Sequence, residues 1–236
     1  MNKKSLIILV TAFNPSNQLT TAFGEKRVRQ YVAGLERVVD LSQRFSDFEF
    51  VLVDNTISND WNMSEQLKNI IEKIPNLKTI FFFDNELPSK NKGCGNIISW
   101  KKALSEVDLS KYDYCIHFEP RQLLMNFSFF SNFIKHPGNY FRFLKYRVTA
   151  STKGWYIRWI LKLIPIYRKQ VSTGMFSLET KIFLDYVNNR DLNQLVSNNI
   201  SLEDDMYSVV KKNNAHSVRE LGILWHNSFS NEYIVF

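Results

Sequence analysis

Glycine and proline are scarce, eight and six in 236 residues. That scarcity excludes a long flexible linker and leaves few points at which the chain is punctuated. Cysteine is scarcer still. Cys94 and Cys115 are too few for a disulfide framework and their spacing fits no zinc site, so a reducing cytoplasm is the expected compartment. No apolar run reaches the length of a membrane-spanning helix. The run Leu6 to Val10 is too short for the apolar part of a signal peptide, and no small-residue cleavage site follows it. Internal repeats and low-complexity tracts are also lacking.

What is present is a globular composition. Hydrophobic residues make up 44% and charged residues 22%, enough for one sizeable α/β domain with its own core. Lys and Arg number 30 against 23 Asp and Glu, a formal charge of +7. That surplus suits an anionic partner: a nucleotide, a nucleic acid or an anionic membrane face. The 19 Phe, 10 Tyr and 5 Trp suit sugar stacking and membrane interfaces, and equally an ordinary core.

Hydrophobic periodicity sets the order of elements. Ser5 to Val10 is short, apolar and branched, a buried strand broken by Thr11-Ala12-Phe13-Asn14-Pro15. Val28, Tyr31, Val32, Leu35, Val38 and Val39 recur at helical spacing. Phe48 to Val53 predicts a second strand, ending in Asp54-Asn55-Thr56. Ser64 is a cap for a helix carrying Leu67, Ile70 and Ile71, which stops before Pro75. Leu77 to Phe83 predicts a third strand, Ile97, Trp100 and Leu104 a third helix, and Tyr112 to Phe118 a fourth strand closed by Glu119-Pro120-Arg121. Strand and helix alternate, which predicts an α/β fold with a mostly parallel central sheet flanked by helices. Ligands of such sheets sit at the carboxyl ends of the strands, so the residues just after each strand are the candidates. The second half is less regular. Tyr140 to Val148, Ser172 to Leu178 and Leu221 to Trp225 read as strands. Thr180 to Val187 and a segment opened by Ser201 and carrying Met206, Val209 and Val210 read as helices.

The loops carry chemistry as well as turns. Asn91-Lys92-Gly93-Cys94-Gly95-Asn96 puts two glycines and a lysine at a helix start, where free N–H groups suit phosphate. It lacks the P-loop spacing. Glu203-Asp204-Asp205 opens a helix, where acids suit the dipole and Ser201 with Asp204 fits a capping box. Asn14 and Asp54 are also common turn residues. The order of these pieces, from Ser5 to His226, resembles the glycosyltransferase A fold in its inverting, family-2-like form.

The resemblance implies a single domain, 1–236, with a nucleotide-sugar-binding half, 1–121, and an acceptor-binding half, 122–236. Ala12, Phe13 and Asn14 are matched to the turn that meets the donor's base, and Asp54 with Asn55 to the acid that bonds uracil. Lys92 and Asn96 fall in the Gly-rich segment beside the diphosphate. Glu119-Pro120-Arg121 stands where the family carries Asp-x-Asp, the motif that holds Mg or Mn. The second acid has become arginine, whose forked donors neutralise a leaving diphosphate directly, so Arg121 is expected to replace the cation in part or in whole. Glu119 and His226 are the metal-ligand candidates; His117 reads as a strand residue. Asp204, then Asp205 and Glu203, are the candidates for catalytic base. Gly174 and Met175 fall in the acceptor-side loop.

The expected activity is hexosyl transfer from a nucleotide-sugar, of the uridine diphosphate type, to a bacterial surface glycan such as lipopolysaccharide or capsule, or to a lipid-linked saccharide. Residues 153–169 are aromatic, apolar and basic, and read either as a membrane-interface contact at the inner face of the cytoplasmic membrane or as a core helix with cations at its edge. A nucleotidyltransferase would want a Gly-rich basic signature between Thr11 and Thr21, which has neither glycine nor lysine. A dinucleotide enzyme would want Gly-x-Gly-x-x-Gly there. A nucleic-acid-binding protein would cluster its basic residues, and here they are mixed with acids along the chain.

Overall fold

The structure is a computed structural model and describes residues 4–14, 21–59, 63–147, 167–226 and 233–235. In chain order the elements are β1 (Ser5–Thr11), α1 (Thr21–Arg44), β2 (Phe48–Asp54), β3 (Thr56–Ile57), α2 (Glu65–Ile71), β4 (Lys78–Phe83), α3 (Lys92–Glu106), β5 (Tyr114–Phe118), β6 (Leu123–Leu124) and α4 (Ser128–Lys135). There follow β7 (Tyr140–Phe141), β8 (Phe143–Arg147), β9 (Tyr167–Val171), β10 (Met175–Glu179), α5 (Thr180–Asn189), α6 (Leu192–Ser197), α7 (Leu202–Lys212), β11 (His216–Ser217), β12 (Ile223–His226) and β13 (Tyr233–Val235).

Among the described residues, eight strands form the central sheet in the order β11-β7-β10-β5-β1-β2-β4-β3. Its middle, β5-β1-β2-β4, is parallel, and β10 runs antiparallel to β5. β1 is buried along its whole length. Ile7 and Leu9 face one core with Leu35, Val38 and Phe130, while Leu6, Ile8 and Val10 face another with Trp100, Phe183 and Met206. A strand with two apolar faces is what a sheet covered by helices on both sides demands. The architecture is α/β with a mostly parallel sheet flanked by helices.

The register brings four strand ends to one edge. Thr11 pairs with Asp54, Leu9 with Phe118, and Phe118 with Met175, so the ends of β1, β2 and β5 meet the start of β10 there. The cap on α2 forms as expected, with the Leu67 N–H donating to Ser64 Oγ at 3.4 Å.

The second half departs from the simple strand readings. The expected strand from Tyr140 onward divides: β7 stays in the main sheet, while β8 leaves it to pair antiparallel with β9 in a two-stranded sheet. β12 joins β6 and β13 in a separate three-stranded sheet. Among the described residues no helix is long and apolar enough to cross a membrane. Of the stretch 153–169, residues up to 166 lie outside the described set, and Tyr167 begins β9.

Candidate functional site

The loop after β1 is held by Asp54. That carboxylate has no solvent exposure. Its Oδ2 accepts the Phe13 N–H at 2.8 Å, and its Oδ1 accepts the Thr56 N–H at 2.7 Å and the Thr56 hydroxyl at 2.5 Å. Thr56 Oγ1 in turn accepts the Asn14 N–H at 3.0 Å. Asp54 therefore ties the β1 and β2 loops together and faces them, not solvent. The Phe13 ring is buried edge-on against Tyr31, with centroids 5.0 Å apart. Ala12 is clamped from both sides: its N–H donates to Tyr31 Oη and its carbonyl accepts from Arg27 Nε, each at 2.8 Å. Asn55 is buried and donates to the Asp84 carbonyl at 3.2 Å. The ring of Phe13 and the side chains of Asp54 and Asn55 shape the loops from inside, and only Asn14 of this group is exposed.

The Gly-rich segment begins α3. Asn91 caps it, accepting the Gly93 N–H at 2.9 Å and donating to the Leu195 and Ile200 carbonyls at 3.2 and 2.9 Å. A Cβ at Gly93 would stand 2.9 Å from Leu202 Cβ, so the N-termini of α3 and α7 abut there because the residue is glycine. One turn into α3, Asn96 Nδ2 donates to Glu119 Oε1 at 3.0 Å.

Glu119 is buried, and its other oxygen, Oε2, accepts from Arg121 Nε at 3.2 Å and Gln122 Nε2 at 3.4 Å. Its backbone N–H donates to the Gly174 carbonyl at 2.9 Å, linking the β5 turn to the loop before β10. Burial works against the charged carboxylate, but the Arg121 charge and the hydrogen bonds from Asn96 and Arg121 outweigh it, and the pKa ends below the usual range. The Arg121 side chain is 25% exposed and is the charged opening of this cluster. His117, behind it, is wholly buried. Its Nδ1 accepts from Trp100 Nε1 at 3.0 Å, so the proton sits on Nε2, and burial lowers the pKa to about 4. It is a neutral strand residue.

The three acids of α7 have separate surroundings. Asp204 completes the capping box: Ser201 Oγ donates to Asp204 Oδ2 at 2.5 Å and lies 3.3 Å from the Asp204 N–H. Asp205 is turned toward α5, 2.7 Å from Arg190 Nε, and accepts from Tyr186 Oη at 2.7 Å. Glu203 accepts from Thr173 Oγ1 at 3.2 Å and is close enough to Glu119 and Arg121 for each to feel its charge. Burial, followed by Glu119 and Asp204, raises its pKa. Of the three, Glu203 is the acid on the Arg121 side, while Asp204 caps α7 and Asp205 meets Tyr186 and Arg190. Gly174 packs against Gln122, and Met175 is buried at the start of β10.

Arg27 joins these groups although no motif marks it. It lies on one face of α1 with Tyr31 and Gly34, and a Cβ on Gly34 would fall 1.6 Å from the Pro120 carbonyl oxygen. α1 is therefore laid against the Glu119-Pro120-Arg121 turn, with Arg27 two turns back beside Ala12. Lys92 feels both Arg121 and Arg27, and burial, Arg121 and Arg27, in that order, lower its pKa. Spacing 27, 31, 34 is visible in the sequence, but it looks like any core-facing helical stripe. His226 ends β12, and its side chain falls outside the described set.

No family model and no curated protein sequence matches the chain. Among solved structures it is similar to the 4-diphosphocytidyl-2C-methyl-D-erythritol synthase of Anaerococcus prevotii, at 14% identity and TM-score 0.47, over 86% of this chain and 87% of that one. It is also similar to the galactosyltransferase LgtC in complex with donor and acceptor sugar analogs, at 11% identity and TM-score 0.44, over 90% of this chain and 66% of that one. The chain thus spans just under two thirds of the galactosyltransferase. At these identities no residue role passes from either protein to this one.

Proposed function

We propose that the chain is a glycosyltransferase that moves a sugar from a nucleotide-sugar to a glycan or lipid-linked acceptor, with inversion. One observation carries this reading: Lys92, Arg121 and Glu203 gather at the carboxyl edge of the sheet, where the N-termini of α3 and α7 abut. Cations and helix N-termini suit a diphosphate, and a half-buried carboxylate with a raised pKa, as Glu203 has, suits proton abstraction. In the proposed reaction an acceptor hydroxyl attacks the anomeric carbon. The bond from that carbon to the diphosphate oxygen breaks, its electron pair leaves with the nucleoside diphosphate, and the hydroxyl proton passes to Glu203. Lys92 and Arg121 stabilise the charge that develops on the leaving group. In this reading the exposed side chain of Asn14 meets the base, since Asp54 and the N–H groups of residues 12–14 are spent on holding the loop.

The test is a panel of nucleotide-sugars with saccharide acceptors, read by mass spectrometry of both products. Transfer releases a nucleoside diphosphate; nucleotidyl transfer consumes a nucleoside triphosphate and releases pyrophosphate. Glu203→Gln is expected to keep donor binding and lose at least about a hundredfold in turnover. Turnover near that of the unmodified chain would remove Glu203 from the mechanism, and pyrophosphate as product would replace the glycosyltransferase reading altogether.

A further inference from the structure

We propose that the chain holds the diphosphate of its donor without a divalent cation, in a cradle formed by Arg27, Lys92 and Arg121. The inference rests on the donor reading above. It adds the source of the counter-charge and brings in Arg27.

The residues at the expected metal position do not fit a metal. Mg and Mn want several hard oxygen donors at short range. The carboxylate at that position is Glu119, and both of its oxygens are engaged, Oε1 by Asn96 at 3.0 Å and Oε2 by Arg121 and Gln122 at 3.2 and 3.4 Å. Where a second acid would complete the pair there is a guanidinium, which would repel the ion. Among the described residues, no group of three or more His, Cys, Asp and Glu is placed to hold a metal.

The same residues fit an anion. Arg121 is oriented through Nε on Glu119, and Arg27 through Nε on the Ala12 carbonyl at 2.8 Å. An arginine fixed by Nε presents its terminal fork to a ligand, and such forks match phosphate oxygens in pairs. Tyr31 stands beside both, with the Arg27 guanidinium 5.9 Å from its ring and Arg121 near enough to feel its hydroxyl. The contact of Gly34 with Pro120 keeps α1 close enough for this. Lys92 opens α3 one turn before Asn96, on the face that meets Glu119. Three cations from three parts of the chain therefore converge, with Glu119 and Glu203 beside Arg121.

Isothermal titration of the full chain with UDP, GDP and CDP, in EDTA and again with manganese, decides the matter. At least one nucleoside diphosphate is expected to bind in EDTA, with affinity changed by no more than about twofold on adding manganese. Arg27→Gln, Lys92→Gln and Arg121→Gln are each expected to weaken it about ten- to a hundredfold, with far-UV circular dichroism unchanged. If Arg121→Gln fails to fold, Arg121→Lys keeps the charge and should bind in EDTA with a smaller loss. Binding that appears only with manganese, or Arg27→Gln binding as well as the unmodified chain, overturns the cradle while leaving the transferase reading standing. No binding in either condition overturns both.

Discussion

At Lys92, burial, Arg121 and Arg27 all act against the ammonium, and its pKa is lowered. An arriving diphosphate reverses that balance by supplying negative charge where positive charges crowd. The sign of the pH dependence follows. Below its lowered pKa, Lys92 is charged and contributes fully; as pH rises through that value the charge is lost, and nucleoside diphosphate affinity should fall at a pH lower than an ordinary lysine would give. In Lys92→Gln that alkaline fall should vanish and affinity below it should drop by about 1.5–3 kcal/mol, as for one charge-assisted hydrogen bond. Titrations across the alkaline range check both; an unaltered profile in the variant would assign the fall to another group. Sequence reading singled out Glu119 and Arg121 because they follow a strand, and Lys92 because it stands in a Gly-rich helix start. It could not read how lone pairs are spent. Asp54 accepts from Phe13, and Asp205 from Tyr186, through contacts set by folding and absent from local pattern. The capping alternative at Asp204 was legible because both partners lie within one turn.

The elements of the first half were legible because each is defined by its own period: β1, β2 and β4 by apolar runs, α1 and α3 by a stripe. Pairing was not. β8 leaves the main sheet and β12 joins β6 because of partners far away in the chain, which no local window contains. The same limit hid the importance of Gly34. It lies inside α1, where alanine is intrinsically better by about 1 kcal/mol. Its missing Cβ is what admits the Pro120 carbonyl, 1.6 Å from where that atom would stand. Gly34→Ala must push α1 away from the Glu119-Pro120-Arg121 turn, at a cost of about 1–3 kcal/mol or more for overpacking. At Gly95, also helical, a new Cβ would meet Asn55 at an ordinary 3.4 Å, so Gly95→Ala should be neutral or stabilising. Urea denaturation of the two variants makes the comparison. Equal stability of Gly34→Ala and the unmodified chain would mean that α1 does not lean on the turn.

For the whole molecule, the expected division into a donor half, 1–121, and an acceptor half, 122–236, meets a sheet that runs through both. β10 belongs to the second half and pairs along its full length with β5 of the first. Trp100 on α3 is fully buried against His117, Phe176, Phe183 and Tyr186, so one side chain joins residues from both sides of the division. The Glu119 N–H bonded to the Gly174 carbonyl makes the same connection at the edge of the sheet. A core shared in this way cannot be exposed on one side only. Unfolding in urea should therefore be a single cooperative transition, with far-UV circular dichroism and tryptophan fluorescence giving the same midpoint. A nucleoside diphosphate that binds at that edge stabilises the folded chain by mass action and should move both signals together. Two separated transitions, with only one moved by ligand, would mean that the halves fold as independent units and that the edge is built by one of them.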